Sequence, residues 1–259
     1  MSTAVAHAED ARHPTLPARG AGRPRLVAVP DAPVTAAVWW ARMADAGPAS
    51  AEHSLVAVNS DRFADGTPVD MTAIESQGRR PSGWLVDVRY RATDGTVRRI
   101  DTAASLSELC PPLWFAELHH ATSNIPATSL LAFGGPAFRP GVVVTPREVA
   151  AAGVRMADRI GEVRWYNRSG IVDTVTVAAE VRRRGIGSVL VTAAEALRVL
   201  RGWAPLRSDG RLTDAGAAWL DAAPPAWRSR LAERVEALPD EDAGDAGPTG
   251  VARLLKDFS

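Results

Sequence analysis

Residues 171–201 read IVDTVTVAAEVRRRGIGSVLVTAAEALRVLR and contain the two elements that decide the fold. The first seven residues are almost all β-branched, which is typical of a strand. After a turn rich in Arg and Gly, apolar residues recur at the spacing of one helical face: Ile186, Val189, Leu190, Ala193, Ala194, Leu197 and Leu200. The stretch therefore predicts a strand, a turn and a helix in succession.

The turn itself, residues 182–188 (RRRGIGS), predicts an anion site. The first N–H groups of a helix have no partner within the helix and lie at the positive end of its dipole, so they favour phosphate. Gly185 and Gly187 have no side chains and would let a ligand approach the backbone closely. A dinucleotide-binding GxGxxG motif is not present, because GIGSVL lacks the third glycine and no parallel βαβ unit is evident.

Upstream of the turn, the pattern predicts an antiparallel hairpin. Gly161 to Tyr166 forms one strand, residues 167–170 (NRSG) form the turn, and Ile171 to Val177 returns. With a loop of about four residues, Tyr166 pairs with Ile171. One face of the hairpin would then carry Glu162, Arg164, Asp173, Val175 and Val177.

The segment VAAEVRRRGIG, Val177 to Gly187, resembles the acyl-CoA-binding signature of the GNAT superfamily of N-acyltransferases. That signature pairs a strand ending in Val with Arg/Gln-x-x-Gly-x-Gly/Ala, and Arg182, Gly185 and Gly187 occupy its three positions. The resemblance covers residues 147–223. It implies a mixed, mostly antiparallel sheet flanked by helices, with acetyl-CoA or another acyl-CoA as co-substrate. An amine acceptor would attack the thioester directly in a ternary complex.

The resemblance also assigns roles to residues around the turn. The pyrophosphate would rest on backbone N–H groups from Arg183 to Ser188, and the pantetheine arm would pair with the last strand. The cofactor-binding residues implied are Val175, Val177, Arg182, Arg183, Arg184, Gly185, Ile186, Gly187 and Ser188. The alternative for the three arginines is a basic helix start on a solvated face.

Acyl transfer to an amine requires a deprotonated amine and a stabilised or protonated leaving thiolate. Asp173 is the candidate to position or deprotonate the amine, and its alternative role is a cross-strand ion pair with Arg164. Glu162 is a second candidate. Many members of the family carry a Tyr in a later helix that serves as the general acid. The comparable segment here, DAGAAWL, has Trp219 in its place. The alternative function is therefore a non-catalytic CoA-binding or protein-interaction module.

Composition narrows the classes of function. Thirty basic and thirty acidic side chains cancel, so no global field recruits nucleic acid or an anionic membrane. There is no long apolar run and no apolar segment typical of a signal peptide, which predicts a cytoplasmic protein. Cys110 is the only cysteine, which excludes an intrachain disulfide and a cysteine-based zinc site. No spacing of His, Asp or Glu residues suggests a metal site. The sequence leaves open whether the protein is a homodimer and which amine accepts the acyl group.

The sequence predicts an α/β (α+β) chain in four regions. These are a disordered leader (1–24), an N-terminal α+β region of unknown role (25–145), a GNAT-like acyl-CoA-binding domain (146–238), and an acidic linker and tail (239–259).

Within the second region the patterns predict a helix from Val34 to Gly47, a strand at Ser54–Val58, and a hairpin pairing Trp84–Tyr90 with Thr96–Asp101. A helical segment is expected within Leu106–His120, and loops between Asn124 and Pro146. One tryptophan of the Trp39–Trp40 pair is expected to be partly exposed. Further helices are predicted at 147–156 and 214–222 and over the stripe from Trp227 to Leu238. Cys110 is expected to be a buried structural thiol; a nucleophile served by His119 and His120 is the alternative.

Overall fold

The predicted helix forms at Ile186–Arg201 (α2) and lies between two β-sheets in the computed structural model of the chain. The structure describes residues 37–44, 51–73, 79–106, 108–121, 125–222 and 236–237. The fold is of the α+β class, with two five-stranded sheets in which most neighbouring strands are antiparallel.

The first sheet has the strand order β3-β1-β2-β4-β5 and comes from the N-terminal part of the described chain. Its strands are Val38–Ala44 (β1), Glu52–Asn59 (β2), Pro68–Asp70 (β3), Trp84–Arg91 (β4) and Val97–Thr102 (β5). The predicted strand at 54–58 and the predicted hairpin after Trp84 are confirmed.

The second sheet begins before residue 145 and ends in the predicted hairpin. Its strands are Trp114–His120 (β6), Ala127–Phe133 (β7), Val143–Val144 (β8), Gly161–Tyr166 (β9) and Val172–Val177 (β10), in the order β10-β9-β7-β6-β8. The helices are Pro146–Ala151 (α1), α2, and Asp214–Ala222 (α3). A short pair joins Arg211–Leu212 (β11) to Glu236–Ala237 (β12).

Helix α2 is buried on every side. Each residue from Val189 to Leu197 is buried, because the helix packs on β7, β9 and β10 of one sheet and on β2 and β4 of the other. A helix enclosed in this way has buried residues around its whole circumference, and apart from Thr192 and Glu195 those of α2 are apolar. One core cluster accordingly joins Trp40 and Leu55 of the first sheet to Leu130 and Val163 of the second through α2.

The predicted helix from Val34 to Gly47 is wrong, since Val38–Ala44 is strand β1. Trp39 and Trp40 are both almost fully buried, so the expected partial exposure of one is wrong too. Adjacent strand residues point to opposite faces of a sheet. Trp40 therefore enters the main core, while Trp39 packs in a second cluster on the outer face with Met43 and Val58.

Two further expectations for the first half are wrong. The segment Leu106–His120 contains strand β6 instead of a helix, and the expected loop region after Asn124 contains β7. All seven residues of β7 are buried, as is typical of a central strand covered on both faces. Because β7 pairs with β9, residue 145 does not divide the chain into separate sheets, and the core spans it.

The remaining helices agree with the sequence in part. Helix α1 ends at Ala151, short of the predicted Met156, and α3 is confirmed. Residues 236–237, expected at the end of a helix, form strand β12; the rest of that segment, the leader and the tail lie outside the described residues. None of the described helices is long and apolar enough to cross a membrane.

Gly170 joins the hairpin turn to the chain that follows α2. Its φ is +70°, and a Cβ built there would lie 2.0 Å from the carbonyl oxygen of Pro205. The Gly170→Ala variant should lose about 3 kcal/mol or more of unfolding free energy, since left-handed strain and a clash with backbone add. Gly95→Ala is the matched control, because Gly95 has the same φ of +70° with no atom within 4 Å of the added Cβ.

The control variant should lose only about 1 kcal/mol, the cost of the left-handed conformation alone. Urea unfolding of the two variants measures the difference. Equal losses would show that the 204–205 backbone yields freely and that Gly170 does not fix its position.

Candidate functional site

Strand β10 has a β-bulge next to the point where the chain that follows α2 is hydrogen-bonded to it. The Val172 N–H donates to the Arg207 carbonyl oxygen at 2.9 Å, and the Arg207 N–H donates to the Gly170 carbonyl oxygen at 2.9 Å. The pairing of β10 with β9 then shifts between Val172 and Thr174, so that Asp173 is the extra residue. Beyond Val172, β10 is an edge strand among the described residues.

The bulge corrects the predicted register of the hairpin. Tyr166 still bonds to Ile171, but Thr174 lies opposite Arg164 and Thr176 opposite Glu162. The prediction that Val175 and Val177 share a face with Glu162 and Arg164 is therefore wrong, because one inserted residue exchanges the two faces of a strand.

The same shift determines which backbone groups of β10 are open. Ala178 donates its N–H to the Ile160 carbonyl oxygen at 3.0 Å, so by alternation Thr176 and Thr174 bond toward β9. The backbone groups of Val175 and Val177 point to the outer edge, where the Val177 carbonyl accepts a hydrogen bond from Arg182 Nε at 3.0 Å. The Val175 side chain on this strand is 46% exposed.

The turn between β10 and α2 presents its three arginines to the surface. Arg183 and Gly185 adopt left-handed conformations with φ of 62° and 78°, and Arg182, Arg183 and Arg184 are exposed. The first bond of α2 runs from the Val189 N–H to the Gly185 carbonyl at 3.0 Å. The N–H groups of Ile186, Gly187 and Ser188 therefore precede the helical hydrogen-bond ladder.

Gly187 links this helix start to the open strand edge. A Cβ built on Gly187 would have only Val177 Cγ2 within contact range, at 3.9 Å. The side chain that Gly187 lacks would thus lie beside the outer part of β10. Nearby, Trp219 Nε1 donates to Ser188 Oγ at 3.0 Å, which holds α3 against the first turn of α2.

The hydrogen bond to Arg207 closes the outer edge of β10 at its first residues, and Asp173 lies where that edge becomes open. The Asp173 carboxylate has two partners. Tyr166 Oη donates to Asp173 Oδ1 at 2.9 Å, and Arg164 Nε lies 3.5 Å from Oδ2. The hydrogen bond to Asp173, then burial and the carboxylate charge, raise the pKa of Tyr166. The alternative of an ion pair with Arg164 is therefore present in the structure, while one third of the Asp173 side chain stays exposed.

Glu162, the other candidate, belongs to a polar cluster on the outer face of the second sheet. Its Oε1 accepts from Ser129 Oγ at 3.0 Å, and its Oε2 lies 2.9 Å from Arg159 Nε. Ser129 also contacts His120 Nε2 at 3.0 Å; burial, followed by the charge of Arg164, lowers the pKa of His120. The Glu162 side chain is 14% exposed and that of Asp173 is 33% exposed, so Asp173 is the more accessible of the two carboxylates to a substrate.

The structure brings most of the predicted site together. Val175, Val177, Gly185, Ile186, Gly187 and Ser188 form one continuous edge and helix start, next to the three exposed arginines. Sequence reasoning missed the bulge at Asp173 and the contact between Trp219 and Ser188. An Asp within a β-branched run was the available signal for the bulge, because Asp is depleted in regular strands.

Cys110 and the two histidines are far apart along β6. Cys110 precedes the strand, while His119 and His120 lie at its end, and the five residue steps from Trp114 to His119 alone span about 17 Å. The Cys110 side chain packs against the main core, and burial raises its pKa to about 11. The described residues contain no group of three or more His, Cys, Asp or Glu that could hold a metal ion.

Cys110 should therefore react slowly with an alkylating reagent at pH 8, because thiolate is the reactive species and the pKa is about 11. The rate should rise with pH up to that value. Alkylation followed by mass spectrometry, in native buffer and in urea, measures the ratio of rates. A native rate equal to the unfolded rate at pH 8 would contradict the raised pKa.

Comparison of the chain with protein-family models, curated proteins and solved structures gave no match.

Proposed function

We propose that this chain is a GNAT-like N-acyltransferase that moves an acetyl or other acyl group from acyl-CoA to an amine. The observation that carries the proposal is the junction of the open edge of β10 with the start of α2, where Gly187 leaves space beside Val177. An extended amide-bearing arm and a phosphate at one point are what acyl-CoA offers to such a junction.

In the proposed complex the pantetheine arm pairs with the outward backbone groups of Val175 and with the Val177 N–H, because Arg182 Nε already binds the Val177 carbonyl. The pyrophosphate rests on the N–H groups of Gly187 and Ser188, since Ile186 is buried, and Arg182 to Arg184 supply positive charge. The arm then runs along β10 toward Asp173, where the bond to Arg207 closes the edge. The thioester accordingly lies near Asp173 and Tyr166.

The proposed reaction is direct attack of the amine nitrogen on the thioester carbonyl. The new C–N bond forms, the C–S bond breaks, and the amine proton passes to the Asp173 carboxylate, directly or through a water molecule. Once Asp173 is neutral, the charge that raises the pKa of Tyr166 is gone. The Tyr166 hydroxyl then protonates the thiolate and regains its proton from Asp173, which fills the acid role that Trp219 cannot perform.

Asp173→Asn and Tyr166→Phe should each lower kcat for an identified amine about a hundredfold or more, the usual range for loss of a general acid or base. Arg164→Gln is the matched control, because it removes the ion pair and leaves the carboxylate in place. The reaction rate is measured as the release of CoA thiol, with each of a set of amines and peptides as acceptor. Equal losses in Arg164→Gln and Asp173→Asn would show that Asp173 serves only the ion pair.

Gly187→Ala tests the ligand site separately from the fold. The added methyl group meets only Val177 at 3.9 Å and improves helix propensity, so the free protein should be as stable or up to about 1 kcal/mol more stable. Acetyl-CoA should nevertheless bind this variant more weakly, and Gly187→Glu should abolish binding, because the side chain and its charge enter the phosphate site.

Thermal unfolding with and without acetyl-CoA measures both effects. Ligand at about one hundred times Kd should stabilise the unmodified chain by about 2.7 kcal/mol. Absence of any stabilisation would overturn the proposed function.

A CoA-binding module without transferase activity is the second candidate, and the contact of Trp219 with Ser188 favours it. The indole occupies the start of α2 and supplies no titratable proton. Acetyl-CoA would then stabilise the protein, no amine would release CoA thiol, and Asp173→Asn would leave binding unchanged.

A further inference from the structure

A shallow groove of about 610 Å³ lies on the side of the α2 turn that faces β9. It runs between the loop that follows β7 and the turn that precedes α2. The residues that carry the inference are Pro112, Pro136, Phe138, Arg139, Ile160 and Arg184. This volume is within the range of small-molecule sites, which is about 300–1,000 Å³.

One wall of the groove is apolar and held in place. Phe138 packs edge-on against Trp114, with ring centroids 4.8 Å apart, and Trp114 stacks on Phe133 at 4.3 Å. Prolines at positions 111, 112, 136 and 140 fix φ along the rim. A flat apolar group could therefore bind here without ordering the wall first.

The charged residues of the groove are all of one sign. Arg139 and Arg184 both line it and are exposed, and the described residues that line it include no carboxylate. Arg184 also belongs to the turn that precedes α2, so an anion on that turn is adjacent to the groove. The occupant that fits combines a flat apolar ring with phosphate.

We propose that this groove binds the nucleoside end of a coenzyme A thioester, with the adenine against Phe138 and the prolines and the ribose phosphate between Arg139 and Arg184. The identity of the ligand rests on the proposed function. The groove includes Ile160, on the side of β10 that faces β9, whereas the backbone groups of Val175 and Val177 point away from β9. The ligand consequently bends at its pyrophosphate, with the acyl arm on one side and the nucleoside on the other.

Adenosine 3′,5′-bisphosphate alone is the direct probe, titrated calorimetrically against the full chain. We expect binding that Arg139→Ala weakens about tenfold, the loss of one charge-assisted contact to phosphate. Pro136→Trp should block the groove and abolish binding. Arg147→Ala is the matched control, because Arg147 is equally exposed on α1 and does not line the groove. No binding at millimolar concentration would overturn the inference.

Acetyl-CoA and acetyl-phosphopantetheine separate this inference from the proposed function. Arg139→Ala should weaken acetyl-CoA about tenfold and leave acetyl-phosphopantetheine unchanged, since only the former carries the nucleoside. If acetyl-CoA binds and neither groove variant changes its affinity, the groove inference fails and the proposed function stands. If the bisphosphate binds with the expected sensitivity to Arg139→Ala and neither thioester does, the groove stands and the acyltransferase proposal fails.

Discussion

Burial of α2 between two sheets is the constraint on which the rest of the structure depends. A helix enclosed on all sides can carry a charge only if that charge is satisfied, and Glu195, fully buried, is the instance. Its carboxylate binds Arg198 three residues along the helix and accepts the Leu206 N–H at 3.2 Å. The buried acid thereby fixes the chain after α2 next to the helix, and that chain supplies Arg207 to the start of β10. The Glu195 carboxylate thus connects the buried helix, through Leu206 and Arg207, to the strand that carries the candidate site.

The bulge at Asp173 decides which backbone groups of β10 face the open edge. Without an extra residue, alternation from Val172 would turn the backbone groups of Thr174 and Thr176 outward. With it, the strand bonds to Arg207 only at its beginning and then turns the backbone of Val175 and Val177 outward. The same residue places a carboxylate where the opening begins, bonded to Tyr166 and Arg164. Bulges commonly re-aim a strand beside a binding site, and this one has both the geometry and the side chain to do so.

Local pattern was sufficient to predict the hairpin, the turn and α2, because those elements are contiguous and their periods are clear. It failed where burial is two-sided. Strand β7 is mostly apolar, without strict alternation, and follows a proline, so its sequence does not identify it as a strand until its two covering layers are known. The sequence VTAAVWWARMADAG fits the helical period as well as the strand period, so it predicts a helix where β1 forms, and its two tryptophans fill cores that belong to different layers. The contact of Trp219 with Ser188 spans 31 residues and has no local signal.

The position of the candidate site follows from which part of α2 the fold leaves open. The helix is buried through its middle, and its C-terminal end is satisfied: Gly202, at φ 66°, and Trp203 return their N–H groups to the last carbonyls, and Arg201 pairs with Glu117 at 2.7 Å. At the other end, α2 packs closely on β9 because Gly161 has no side chain. A Cβ built on Gly161 would lie 2.9 Å from Leu190 Cδ1. Close packing holds the helix start rigid while its first N–H groups stay ahead of the hydrogen-bond ladder. A helix that is fixed along its length, and whose first N–H groups precede its hydrogen-bond ladder, has the preorganised geometry that anion binding at a helix N-terminus requires.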